Sequence, residues 1–459
     1  MPDDTTARTT AEVADLVNAH PWVARVHTSP DGALLVTPAT SATAVSPPGP
    51  LLQEHLEQWT EVYEWVYETA DGRHSDDLDL SGWRSSDTGE PLPEAHMRDW
   101  VDRTAALVAA QHPRRILELG CGSGLLAYRL HGRLEGYVGT DVAQVAVDRL
   151  AAAAIPGTAF VRAAAHEADC AQVREATNRV FGTHTRPDCV LLNSVTQCFP
   201  NLAYLTEVLH GAIAAVEDGG TVVVGDNRHA GLLEEHFGRL ERLRNPDADD
   251  ATVAERATAA AAADEELSFT PAAVAAAAAA QPRPVRMSVH ARTMAEDTEL
   301  TRYRYDIVLH VGPPADGRDA GAAAPVRRRH WDAHRTEGLS AGLRTALADR
   351  PVVLTGIPNA LLVDAPGAVT PHALRQALGD TDAAVLLDAA DPRILAVAVP
   401  AEAAPVEVRD IPAPRTGPVA HEPLPAFVAR RLPEVLRDHV RRALPATTPP
   451  RITIAEETA

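Results

Sequence analysis

The chain has 459 residues, 45% apolar and 23% charged, which is enough for roughly two or three domains with ordinary cores. Its formal charge of −21 has the wrong sign for an extended DNA or RNA interface, so nucleic-acid partners are excluded. Lysine is absent, which excludes any mechanism that needs an ammonium side chain. The opening stretch "MPDDTTARTT" has no basic-then-apolar leader, and no apolar run approaches the roughly 18 residues of a membrane span. Cys121, Cys170, Cys189 and Cys198 show no CxxC spacing, so neither a metal site nor a disulfide framework is expected, and the expected location is cytoplasmic.

Along the chain, residues 11–28 predict a short amphipathic helix ending near His20-Pro21 and then a strand, with "GALLVTPA" as a second strand. "PATSATAVSPPGP" reads as a boundary, followed by a helix from Leu51 and a polar loop. The next helix begins around Pro93–Met97 with Glu94 in its first turn. Strands "RILELG", "GYVGTD", "AFVRAA", "CVLLNS" and "TVVVGDN" then alternate with helical patterns, which argues for a parallel sheet covered on both faces. "ELTRYRYDIVLHVG" predicts a late strand, antiparallel at the sheet edge. The Ala-rich run 250–282 predicts helix. "PPADGRDAGAAAP" reads as a linker, and the remainder carries two strand patterns and a helix, "LPAFVARRLPEVLRDHVRRAL".

Gly120, Gly122 and Gly124 follow the first of these strands and open a helix. Glycine allows φ > 0 and lets backbone approach a ligand with no Cβ in the way. At the carboxyl end of a strand in a doubly wound sheet, such a turn is where nucleotide-like ligands bind. The spacing is GxGxG and not GxGxxG. Glu118 stands just before the turn, suited to a cationic or amine-bearing ligand, and a Gly pair precedes the fifth strand. Together these residues resemble the class I S-adenosylmethionine-dependent methyltransferases, with a Rossmann-like doubly wound α/β fold. S-adenosylmethionine is the cofactor implied, and S-adenosylhomocysteine its product. Asp141 ends the second strand, 21 residues after Gly120, where a carboxylate suits the ribose hydroxyls; its alternative role is a helix cap. Glu167 is a candidate for the adenine amino group, with a solvated helix start as the alternative.

A closer resemblance rests on ordered motifs: "HLEQWTEVYEWVY", "SGWRSSDTGEPLPEAHMRDWV", "ILELGCGSGLLAYRL", "YVGTD", "VLLNSVTQCFPNLAYL", "VVVGDNR" and "DTELTRYRYDIVLHV". Over about residues 50–312 they look like the methyltransferase domain inserted into interrupted adenylation domains of nonribosomal peptide synthetases. The flanks "EVADLVNAHPWVARV" and "LPEVLRDHVRRALPATTPP" resemble the small α+β C-terminal subdomain of an adenylation domain. The domain expectation is therefore residues 1–48 and 331–459 as the two parts of a split small subdomain, 49–312 as the methyltransferase and 313–330 as a linker. With no lysine in the chain, the resemblance implies a free-standing methyltransferase without adenylation activity.

It also implies N-methylation of an amino group on an amino acid or amino-acid-derived intermediate, commonly tethered to a peptidyl carrier protein. Candidate partners are that small molecule, the carrier protein and a second copy of the chain. Asn193, Ser194 and Gln197 follow the fourth strand and are candidates for positioning the amine or the cofactor, with helix capping as the alternative. Asp226, Arg228 and His229 follow the fifth; His229 is the candidate base, or else a solvated loop histidine. Glu90 is the candidate for ammonium recognition, and Tyr63, Trp65 and Trp83 are candidate pocket walls. Asp87 and Cys198 stand where relatives usually carry Tyr, which implies a different, more polar or cationic acceptor. O- or C-methylation and a silent cofactor-binding scaffold remain open as alternatives.

Overall fold

The computed structural model describes residues 4–69, 76–313, 325–331 and 339–455. Chain contacts divide it into two units, one of residues 1–60, 263–266 and 422–459, the other of 61–262 and 267–421. In the first unit, helix α1 (Asp4–Asn18) leads into the hairpin of β1 (Val23–Thr28) and β2 (Leu34–Pro38), with Ile452–Ile454 added parallel to β2. Helix α2 (Pro50–Glu68) starts in this unit. Helix Leu424–Ala443 buries Phe427, Val428, Leu432, Leu436 and Val440, a spacing that makes one apolar face. Its Arg431 meets Glu54 at 2.6 Å.

The second unit is built on one long sheet. Helix α3 (Glu94–Ala109) precedes β3 (Arg115–Leu119), α4 (Leu125–Leu130), β4 (Gly136–Asp141), α5 (Gln144–Ala152), β5 (Thr158–Arg162), α6 (Ala171–Phe181) and β6 (Cys189–Asn193). Then come α7 (Leu202–Ala215), β7 (Thr221–Arg228), α8 (Leu233–Arg244), the short β8 (Ser268–Phe269), β9 (Val285–Ala291) and β10 (Arg304–Val311). The last strands are β11 (Arg327–His330), β12 (Val352–Pro358), β13 (Ala384–Leu387), β14 (Ile394–Val399) and β15 (Val406–Glu407). Among the described residues the order is β11-β12-β14-β13-β9-β10-β7-β6-β3-β4-β5, with β15 also on β9. Strands β3 to β7 pair in parallel, and their near-unbroken burial reflects helices on both faces. Trp100, Met97, Ile116, Tyr137, Leu150 and Val308 share one core on this sheet.

Three expectations are corrected. The late strand, β10, is antiparallel as expected but lies inside the sheet, between β7 and β9. The Ala-rich run is two helices, Asp250–Ala262 and Pro271–Ala279, separated by β8. Residues 339–421, expected in the small subdomain, group with the large unit. The physical reason is pairing: Leu386 of β13 pairs with His290 of β9, so β12–β14 continue a sheet whose edge would otherwise stay open. These strands carry their own core of Leu343, Leu354, Leu374, Leu395 and Val397. The expected linker, 313–330, lies largely outside the described residues, although 327–330 forms β11.

Candidate functional site

The strand order reverses at β3, which has β4 on one side and β6 on the other. A doubly wound sheet opens a crevice at the carboxyl ends of its strands at such a point. The glycine turn lies there. Gly120, Gly122 and Gly124 have φ of +85°, +51° and +83°, conformations that L side chains adopt at a cost. A Cβ on Gly120 would meet Val195 Cγ2 at 2.7 Å, and one on Gly122 would meet the Tyr67 hydroxyl at 2.7 Å.

Asp141 closes the turn from β4. It is 7% exposed; Oδ2 accepts from the Gly122 N–H at 2.7 Å and Oδ1 from the Ala143 N–H at 2.9 Å. Burial raises its pKa while those backbone donors oppose the rise. Each carboxylate oxygen keeps a further lone pair, so ribose hydroxyls can still donate to it. Beside it the end of α2 packs down: Glu64 accepts from the N–H groups of Gln144 and Val145 at 2.7 and 3.1 Å, tying α2 to the start of α5. Tyr67 is buried against Ala143 and Ala146. Sequence reasoning picked Tyr63 and Trp65 from this helix and missed Tyr67. The signal was there, because Tyr63 and Tyr67 are one turn apart and stack at 6.0 Å.

Other candidates are placed differently. Glu118 does not offer charge to a cation: its carboxyl is 2% exposed and accepts from the Tyr137 hydroxyl, and burial pushes its pKa up to about 8. Glu167 is exposed and turns back to accept from the Ala164 N–H at 2.9 Å, the helix-start role. Glu90 and Asp87 sit exposed on a turn closed by the Arg84–Pro91 bridge, and Asp87 accepts from Ser85, which holds its pKa low. Trp83 packs on Trp100 at 4.5 Å as core, and Trp65 is 64% exposed, so neither walls the crevice. The Tyr63 hydroxyl lies 3.7 Å from Cys198 Sγ.

At the ends of β6 and β7 two non-glycine residues hold left-handed backbones, Ser194 at φ +55° and Asp226 at φ +60°. Such strain persists only where surroundings over-determine it. Here Ser194 Oγ donates to Asp226 Oδ2 at 2.7 Å, and Asp226 also accepts from Trp100 Nε1 at 3.1 Å and pairs with Arg304 at 2.6 Å. Asp226 is fully buried, so it anchors Ser194 and does not meet substrate as expected. Asn193 donates through Nδ2 to Ser194 Oγ at 3.2 Å, and its Oδ1 lies over Gly225, where a Cβ would collide. Gln197 donates to the Ser194 carbonyl at 2.8 Å, and its buried Oε1 has no partner. Arg228 is partly buried at the end of β7. His229 is not a solvated base: it is 4% exposed, Nδ1 accepts from the Gly231 N–H at 3.1 Å, and burial lowers its pKa to about 4.

Residues 93–250 match the model of a family described as a methyltransferase domain. Residues 93–250 therefore carry a methyltransferase domain, set on a doubly wound α/β sheet. S-adenosylmethionine fits its rim: the glycine turn leaves bare backbone, and Asp141 retains acceptor capacity beside it. Over 259 residues, 56% of its length, the chain is 35% identical to the probable non-canonical nonribosomal peptide synthetase CymA of Salinispora arenicola, covering 3% of that protein. It is 29% identical over 372 residues, 76% of its length, to the chondramide synthase cmdD of Chondromyces crocatus, covering 9% of it. The chain thus spans less than a tenth of these curated relatives. The solved structure of magnesium protoporphyrin IX methyltransferase from Synechocystis PCC 6803 aligns with 56% of the chain and 100% of that protein at 10% identity, with a TM-score of 0.35, too low to carry an argument. Among the described residues, no helix is long and apolar enough to cross a membrane, and no group of His, Cys, Asp and Glu could hold a metal ion.

Proposed function

We propose that the methyltransferase domain methylates the amino group of an amino acid or amino-acid-derived intermediate of nonribosomal peptide assembly, presented free or on a peptidyl carrier protein. Bound S-adenosylmethionine supplies an electrophilic methyl carbon. Gly120, Gly122, Gly124 and Asp141 would hold its nucleoside, with Tyr67 closing over them. The observation that carries the reading is Gln197: a buried amide oxygen without a partner, next to a strained serine. An amine brings its own lone pair and an N–H to donate, so it needs orientation more than deprotonation. A hydroxyl acceptor would need a base, and the candidate for one, His229, is a buried ring whose pKa, lowered to about 4 by burial, makes it a weak base. The resemblance to synthetase segments supports the substrate class, and the absence of lysine supports a chain without adenylating chemistry.

The test is transfer of isotopically labelled methyl to amino acids, free and carrier-loaded, beside their hydroxy analogues. Label on nitrogen is expected, with Gln197→Ala raising KM for the amine while affinity for S-adenosylhomocysteine holds. Label on oxygen or carbon would overturn the proposal.

A further inference from the structure

Four charged side chains pack together at the end of β6. Asp226 belongs to β7, Arg304 and Asp306 to β10, and Arg292 follows β9; all but Arg304 are buried. Arg292 Nη1 donates to Asp306 Oδ1 at 2.7 Å, Arg304 Nη1 donates to Asp226 Oδ2 at 2.6 Å, and Arg292 Nη2 stands 3.8 Å from Asp226 Oδ1. Asp306 Oδ1 also accepts the Asp226 N–H at 2.7 Å, which holds the left-handed backbone there. Helix α3 closes the cluster. Trp100 Nε1 donates to Asp226 at 3.1 Å, Thr104 accepts from Arg292 Nη2 at 3.2 Å, and the guanidinium lies 5.6 Å from the centre of the Trp100 ring. Two guanidiniums thus balance two carboxylates. A buried ion cluster adds little stability over apolar packing of the same volume, so stability alone does not account for it.

The cluster reaches the crevice through Ser194, which is partly exposed at the end of β6 and whose neighbour Val195 stands over Gly120 of the glycine turn. Ser194 Oγ is 2.7 Å from Asp226 Oδ2. Faced by two guanidiniums and an indole N–H, Asp226 is a carboxylate and can only accept, so the serine donates and its proton points inward. Asn193 Nδ2 donates to Oγ at 3.2 Å, which leaves the oxygen one further lone pair. A hydroxyl that donates to a carboxylate is itself a stronger acceptor.

We propose that Asp226, Arg292, Arg304 and Asp306 are positioning residues for methyl transfer: they turn the Ser194 hydroxyl inward and leave its oxygen to receive an N–H or O–H of the methyl acceptor. The acceptor's own lone pair is then free for the methyl carbon, and a tertiary amine, with no hydrogen to donate, is not held. This role rests on the proposed placement of the acceptor beside Gln197 and Ser194, and not on its being an amine.

The test is a double-mutant cycle on methyl transfer, run with the amino acids and hydroxy analogues of the labelling assay. Ser194→Ala removes the oxygen. Asp226→Asn keeps the shape but offers an amide N–H, against which the serine hydroxyl turns outward. Each is expected to lower kcat/KM about tenfold or more, the effect of one charge-assisted hydrogen bond. The double variant should fall no further than the worse single one, because both act through one oxygen, while affinity for S-adenosylhomocysteine holds. Losses that multiply, or a Ser194→Ala protein as active as the parent, would overturn the role. Arg292→Lys keeps the charge without the fork and supplies the second cycle if Asp226→Asn does not fold. Amide exchange in the full chain separates this role from the proposed function. Arg292→Lys should speed exchange at Asp226, whose N–H Asp306 holds, and at Ser194, whose N–H the Gly225 carbonyl accepts. If the parent methylates nothing, the proposed function fails; faster exchange still supports the cluster's hold on Ser194, and unchanged exchange overturns it.

Discussion

Glu118 gives the most direct check on the site's electrostatics. Its carboxyl lies inside the sheet against the Tyr137 hydroxyl, and its pKa rises from 4.5 to about 8, burial being the main cause. Between those values the folded chain holds a proton that the unfolded chain has released. Stability is therefore full below pH 4.5 and is lost as pH rises towards about 8. The slope is about 1.4 kcal/mol per pH unit, so the whole window costs about 5 kcal/mol, an order-of-magnitude figure. Glu118→Gln keeps the shape and an oxygen for Tyr137 but cannot ionise. Urea unfolding of both proteins across the window, without cofactor, should show the variant gaining on the parent as pH rises. Taking the difference cancels the buried histidines, which titrate in the opposite sense. A difference that stays constant with pH would refute the assignment of a neutral, buried carboxyl.

Further outcomes are expected at the rim and in the turn. Asp141→Ala should weaken S-adenosylhomocysteine binding by at least ~1 kcal/mol in calorimetry, since it removes the acceptor proposed for the ribose and unties Gly122. Gly120→Ala should destabilise the chain by about 1–3 kcal/mol, read as a lower urea midpoint, because φ is +85° and Val195 stands in the way. His229→Gln should leave the shape of the kcat/KM profile unchanged between about pH 6 and 8, because a ring with pKa about 4 is already neutral there. Glu64→Gln should loosen the end of α2, seen as faster amide exchange at Gln144 and Val145, whose N–H groups the carboxylate now accepts.

The parallel core and its glycine turn were legible because both are local signals. Apolar strands of five to eight residues, each followed by a helical pattern, leave few alternatives, and three glycines at a strand end mark a backbone that must bend left-handed. The position of Asp141 was legible for the same reason: it ends β4 beside the turn, where it accepts from the Gly122 N–H. Glu118 and Asp226 were misjudged because sequence reports that a carboxylate is near a site and not which way it faces. Glu118 alternates inward with its strand to meet Tyr137, and Asp226 is drawn inward by Trp100, Ser194 and Arg304, residues distant in sequence.

Sequence alone determined the doubly wound core, the left-handed glycine turn at its strand end, and the absence of any lysine side chain, since these follow from residue type and short-range spacing. Only the tertiary structure decided that β12–β14 extend the large sheet, that His229 is buried and neutral, and that Tyr67 lies on the glycine turn. Each of those rests on contacts between segments far apart in the chain, where strand pairing and desolvation act and local pattern carries no information.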